Sequence, residues 1–143
     1  MSKLTVERVI NAPIEDVFDA WTIPQIMQEW LSPEGMTTPT VESSFNQGGN
    51  YMIVMEGKNG ERHIAYGTYT KINKPHEVEM TWSWDKDDDD SKRSKLNLKF
   101  EKVEDNKTKV ILHHYNLPSE EECQNHEKGW ISSFNKLEKK LHE

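Results

Sequence analysis

The chain has 143 residues with 18 Lys+Arg against 25 Asp+Glu, a formal net charge of −7. That length suits one domain over residues 1–143, the acidic balance argues against nucleic acid as a partner, and no apolar run is long enough for membrane insertion. Hydrophobic residues make up only 34% of the chain, yet five Trp and six Met are present, so their location is the lead to function. Cys123 is the single cysteine, which rules out an intrachain disulfide and fits a reducing compartment. With no apolar leader at residues 1–5, a cytoplasmic setting is expected.

Residues 3–11 read as a strand, with Leu4, Val6 and Ile10 on one parity and Arg8 interrupting that face. Pro13 suits the first turn of a helix, in which Ile14, Val17, Phe18 and Trp21 fall at i, i+3, i+4 and i+7. A second short helix carries Ile23, Ile26, Met27, Trp30 and Leu31 at the same spacing and ends at Ser32-Pro33-Glu34-Gly35. Six strands are predicted next, over 38–45, 50–57, 61–72, 76–85, 92–103 and 107–115. Asn59-Gly60 signals a hairpin. The pairing it implies and the pairing through Asn73-Lys74-Pro75 disagree on which parity of 50–57 faces inward, which leaves Tyr51 and Met55 open. Val78, Met80, Trp82 and Trp84 share one face of their strand, as do Leu96, Leu98 and Phe100, and Val110, Leu112 and His114, in theirs. Such a succession of hairpins implies an antiparallel sheet with one solvated face.

The last segment reads as a long helix. Ser119 and Glu122 form an S-x-x-E capping box, and His126, Trp130, Phe134, Leu137 and Leu141 make an apolar stripe. Gly129 inside it costs about 1 kcal/mol relative to Ala. The expected class is α+β: a seven-stranded curved antiparallel sheet, two short helices between strands 1 and 2, and the long C-terminal helix laid across the concave face.

Several motifs end short of chemistry. Cys123, His126 and His114 could share the interior, which makes a Cys/His/His metal site conceivable; buried hydrogen-bonded histidines are the commoner outcome, and neither a metal nor a cofactor is expected. His126-Glu127-x-x-Trp130 lacks the second His of a zincin helix. Asp85, Asp87 and Asp89 alternate like the start of an EF-hand loop, but Asp90 stands where its Gly belongs and Leu96 where its Glu belongs. A solvated hairpin loop is the reading for the acidic run 85–90. No nucleophile constellation or phosphate-cradling glycine motif is present, and at most His114 and His126 converge as titratable groups in the interior, so a proton-shuttling enzyme of the aromatase/cyclase type ranks third among the functions.

The ordered set Asn11-Ala12-Pro13, Val17-Phe18-Asp19-Ala20-Trp21-Thr22, Trp30, Pro33, Gly48-Gly49 before Tyr51, Gly67 before Tyr69, Pro75 before Thr81-Trp82, Thr108 through His114, and His126-x-x-Gly129-Trp130 with Leu137 resembles the family named after the activator of heat-shock protein 90 ATPase. That family lies within the START-like, birch-pollen-allergen-like superfamily. The resemblance implies a helix-grip fold with an elongated cavity that often holds an apolar ligand. The expected function is binding of a small apolar or aromatic molecule between sheet and helix. The expected ligand-binding residues are Tyr51, Tyr69, Met80, Trp82, Leu98, Leu112, His114, His126, Trp130 and Phe134. The alternative is a module that contacts a chaperone, whose basic surfaces the acidic charge would suit.

Overall fold

The computed structural model describes residues 2–85 and 93–141. In chain order it holds β1 (Ser2–Ile10), α1 (Ile14–Thr22), α2 (Pro24–Trp30), β2 (Thr37–Ser43), β3 (Asn50–Glu56), β4 (Arg62–Asn73), β5 (Glu77–Trp84), β6 (Ser94–Glu104), β7 (Lys107–Leu117) and α3 (Glu120–Leu141). The seven strands form one sheet in the order β1-β7-β6-β5-β4-β3-β2, and every neighbouring pair is antiparallel. The α+β class, the seven strands and both sets of helices are as predicted. Of the acidic run, residues 86–90 lie outside the described residues, so its predicted loop is not described.

The inward faces follow strand alternation. Val78, Met80 and Trp82 of β5 are buried, as are Leu96, Leu98 and Phe100 of β6 and Val110, Leu112 and His114 of β7. On the other face, Asn97 Nδ2–H donates to Glu77 (2.9 Å) and Glu79 (3.0 Å), so the solvated side is held by polar pairs. The conflict over β3 is resolved by two irregularities together, a register shift in the β4–β5 pairing between Tyr69 and Lys71 and an extra residue in the β3–β4 turn. Glu56 pairs with Arg62 and Gly57 N–H donates to the Glu61 carbonyl (2.9 Å), so three residues, Lys58-Asn59-Gly60, make the turn. Gly60 takes the left-handed conformation there, at φ +83, as three-residue hairpins require. A two-residue Asn59-Gly60 turn would shift the pairing by one residue and reverse every side chain of β3. The extra residue places Tyr51 opposite Gly67 and Met55 opposite His63, and Tyr51, Ile53 and Met55 are all buried.

Gly67 has a packing reason. Tyr51 O–H donates to the Thr81 carbonyl of β5 (2.6 Å), so its side chain crosses β4 at the glycine. A Cβ at Gly67 would itself collide with that same carbonyl oxygen.

The two short helices close one end of the sheet's concave side. Trp30 Nε1–H donates to the Ala20 carbonyl (2.9 Å), locking α2 to the end of α1. Trp21 and Trp30 meet edge to face at 4.6 Å, a geometry aromatic pairs favour. In α3 the Ser119 hydroxyl accepts the Glu122 N–H (3.1 Å), giving half of the predicted capping box. The Glu122 carboxylate lies 3.9 Å from His126 Nδ1, toward the next turn of the helix. The buried stripe Cys123, Trp130, Phe134, Leu137 faces the sheet. Arg8, the odd residue of the β1 inner parity, reaches the flank of α3: it donates to Asn135 Oδ1 (3.0 Å), pairs with Glu138 (3.2 Å) and lies over the Phe134 ring. Its stem covers apolar surface while its head stays at the rim.

Replacing Gly67 with Ala should lower the unfolding free energy by about 2–4 kcal/mol, the range for forced overpacking and a broken buried contact. Urea denaturation followed by circular dichroism measures this; a loss below about 0.5 kcal/mol would show that β4 and β5 yield freely.

Candidate functional site

The space between sheet and α3 is unevenly filled. A cavity of about 260 Å³ lies at the N-terminal half of α3. Its sheet wall is Met55 of β3, His63 of β4, and Trp82 and Trp84 of β5; Leu31 and Pro33, just after α2, close one end. The helix wall is Glu122, Asn125, His126, Gly129, Trp130 and Ser133. Deeper in, Tyr51, Tyr69, Met80 and Trp82 border an inner space of only about 10 Å³, which is the size of one water molecule at most. The interior is thus hollow beside the first turns of α3 and packed solid beyond.

Of the ten residues expected from sequence, Trp82, His126 and Trp130 line the larger cavity. Tyr51, Tyr69 and Met80 line the inner space, together with Trp82 and Trp130. Leu98, Leu112, His114 and Phe134 are wholly buried and line neither. Sequence reasoning left out Leu31, Pro33, His63, Glu122, Asn125, Gly129 and Ser133 as lining residues. Gly129 carried a signal, a costly glycine inside an otherwise regular helix. His63 becomes predictable once the three-residue turn is known, because it pairs with Met55.

Two histidines hold the walls. The indole N–H of Trp130 can only donate, so His114 Nδ1 accepts it (3.1 Å) and the ring proton sits on Nε2. Nε2–H then donates to Ser94 Oγ (2.7 Å), whose own proton goes to the Trp82 carbonyl (3.1 Å). Burial, and secondarily the neighbouring His126, hold the His114 pKa well below the ordinary 6.5. A proton on Nδ1 would break the bond to Trp130. The same logic fixes His126: Trp84 Nε1–H donates to its Nε2 (3.1 Å), and its Nδ1–H donates to the Glu122 carbonyl (2.8 Å). The two imidazoles meet edge to face at 4.8 Å.

Cys123 turns away from this pair. Its Sγ–H donates to the Lys3 carbonyl (3.1 Å), and burial with Glu120 and Glu127 pushes the thiol pKa up. Among the described residues no three His, Cys, Asp or Glu side chains are grouped to hold a metal ion, so the conceivable Cys123/His126/His114 site does not assemble. Among the described residues no helix is long and apolar enough to cross a membrane.

Lys136 ties the end of the cavity to α3. Its ammonium donates to Ser32 Oγ (2.8 Å) and to the Pro33 and Met36 carbonyls (3.0 Å each). All three protons are used, and the Ser132 hydroxyl of α3, which accepts the Glu34 N–H, and the Thr38 hydroxyl, which donates to the Leu31 carbonyl, hold the same loop.

A curved sheet gripping one long helix, with an apolar hollow between them, defines a helix-grip module of the ligand-binding or activator type. The chain belongs to the family described as activator of Hsp90 ATPase homolog 1-like protein, whose sequence pattern matches residues 11–142. Among solved structures, the AHSA1 protein from Silicibacter pomeroyi is 29% identical with a TM-score of 0.86, over 99% of this chain and 98% of that one. A Staphylococcus epidermidis protein is 26% identical with a TM-score of 0.75, over 98% and 89%. Protein CV1439 from Chromobacterium violaceum, at 19% identity and a TM-score of 0.84 over 100% and 99%, shares the fold. No curated protein matches the chain in sequence.

The buried neutral histidine sets a pH dependence. With the His114 pKa lowered in the folded state, the unfolded chain binds the extra proton, so stability falls as pH drops below about 6.5. The slope attributable to His114 reaches at most about 1.4 kcal/mol per pH unit. Urea titrations between pH 7.5 and 5.5 should show it, and His114→Gln should reduce it by about one proton. An unchanged slope in that variant would place the titration elsewhere.

Proposed function

We propose that this domain binds a small apolar or aromatic molecule in the cavity between β3–β5 and the N-terminal half of α3. The observation that carries the reading is the cavity itself, about 260 Å³ bordered by Trp82, Trp84 and Trp130. Engineered apolar cavities of about 150 Å³ take up benzene, and drug-sized pockets start near about 300 Å³. The fitting ligand is therefore one or two rings in size. In this reading Trp82, Trp130 and His126 touch the ligand, as do His63, Trp84 and Ser133. Tyr51, Tyr69 and Met80 brace the inner wall, and Leu98, Leu112, His114 and Phe134 support it from behind.

Gly129 adds support. It lines the cavity, and a Cβ there would meet only Pro33 Cγ at 3.6 Å, an ordinary contact. Nothing in the packing demands glycine, while an Ala would be better for the helix by about 1 kcal/mol. Space on the cavity side is what the glycine provides.

A panel of one- and two-ring compounds such as naphthalene and chromone, set against a long-chain fatty acid, tests the reading. Bound rings should shift the amide signal of Gly129 and the indole signals of Trp84 and Trp130 in NMR spectra. Gly129→Ala should fold with equal or higher stability, by up to about 1 kcal/mol, and Gly129→Leu should fill the hollow and abolish the shifts. A folded protein whose cavity signals ignore every compound of the panel would overturn the proposal.

A further inference from the structure

We propose that the cavity prefers an organic cation, an apolar or ring-bearing compound carrying a fully alkylated ammonium, over a neutral molecule of the same shape. The inference rests on the binding function proposed above and names the ligand class for that site.

The three indoles border the space at steep angles. Trp82 meets Trp84 at 82° with ring centroids 5.7 Å apart, and meets Trp130 at 63° and 5.3 Å. The contacts are edge to face, so the three rings turn different ways around Trp82, and all three border the same space. Indole is the ring that attracts cations best. Trp84 and Trp130 also donate their N–H groups to His126 and His114. Those bonds occupy the electropositive N–H edges with partners inside the protein wall and leave the rings more electron-rich.

Charge points the same way. Among the described residues Glu122 is the one formally charged side chain in the lining, and neither Lys nor Arg borders the cavity. The chain as a whole carries −7, a field that raises the local concentration of cations and repels anions. A carboxylate ligand would meet no countercharge and would face Glu122.

The hydrogen-bonding state of the wall selects the kind of cation. Both nitrogens of His126 are engaged, with Trp84 and with the Glu122 carbonyl. A primary ammonium has three N–H donors to satisfy on leaving water; Glu122, Asn125, Ser133 and His63 offer acceptors at the cavity, but a donor turned toward the indoles goes unpaired, which is costly in an apolar site. A quaternary ammonium has none, and its methyl groups can pack against Trp and Met55.

The test compares benzyltrimethylammonium with neopentylbenzene, its isostere in which carbon replaces the charged nitrogen, and with benzylammonium. Titrations are followed by NMR at low salt. The trimethylammonium compound should bind tighter than its neutral isostere by roughly five- to thirty-fold, the span of desolvated cation–π contacts. It should also bind tighter than the primary amine. Glu122 is half exposed, so Glu122→Gln should fold normally; it should weaken the cation by roughly two- to five-fold and leave the neutral isostere unchanged. Equal or tighter binding of neopentylbenzene, or an indifferent Glu122→Gln, would overturn the cation preference while leaving the binding function standing. If neither these compounds nor the ring panel shifts any cavity signal, the binding function falls and this inference falls with it.

Discussion

The indole N–H of Trp130 has one acceptor, Nδ1 of His114, and the structure of the interior depends on that bond. From it runs a chain in which every donor is spent once: Trp130 to His114, His114 to Ser94, Ser94 to the Trp82 carbonyl. The chain starts on α3 and crosses β7 and β6 to end on β5. A helix lying on a sheet by apolar contact alone can slide or roll at little cost, because hydrophobic attraction has no direction. A line of buried, fully paired polar groups has one register, and a partly paired alternative is penalised. The depth and rotation of α3 are set there, and so is the height at which Trp130 stands over the hollow.

The hollow follows from where that anchor falls. Beyond Trp130, toward the C-terminus, Phe134 and Leu137 are wholly buried against the sheet, and Arg8 clasps the flank of the helix through Asn135 and Glu138. Before it, the helix presents Gly129, His126 and Asn125, while the facing wall presents flat indoles. The two surfaces cannot interlock, since one side has a missing side chain and the other has planes. Lys136 then holds the Leu31–Met36 segment in place through three hydrogen bonds. This end wall is not free to collapse inward and fill the gap.

The strands, their order along the chain and most inward faces were legible in the sequence, because alternation on β5, β6 and β7 is clean and each face is either buried or wet. The β3 face was not, since Asn59-Gly60 suits a two-residue turn, and the extra turn residue and the β4 register shift between Tyr69 and Lys71 would each alone reverse the strand. The cavity was legible only as a region. Sequence placed Trp82, Trp130 and His126 on inward faces but gave Leu98 and Leu112 the same standing, because parity reports the side of the sheet and not the depth of packing above it. His63, Asn125 and Ser133 carried no apolar signal and were passed over. Arg8, which looked like a break in the β1 face, is an inward-parity residue that reaches the helix flank at the sheet's edge.

The titratable groups around the interior are already committed. His114 and His126 each use both ring nitrogens. Tyr51 donates to the Thr81 carbonyl and Tyr69 shares a hydrogen bond with Ser43, and burial raises both phenol pKa values. A proton shuttle needs a group whose two protonation states lie close in energy and whose partner can change. Protonating His114 breaks its bond to Trp130, and ionising Tyr51 leaves a buried oxyanion against a carbonyl oxygen. These side chains are arranged to keep one state, and that constancy suits the proposed binding of a guest against fixed ring surfaces.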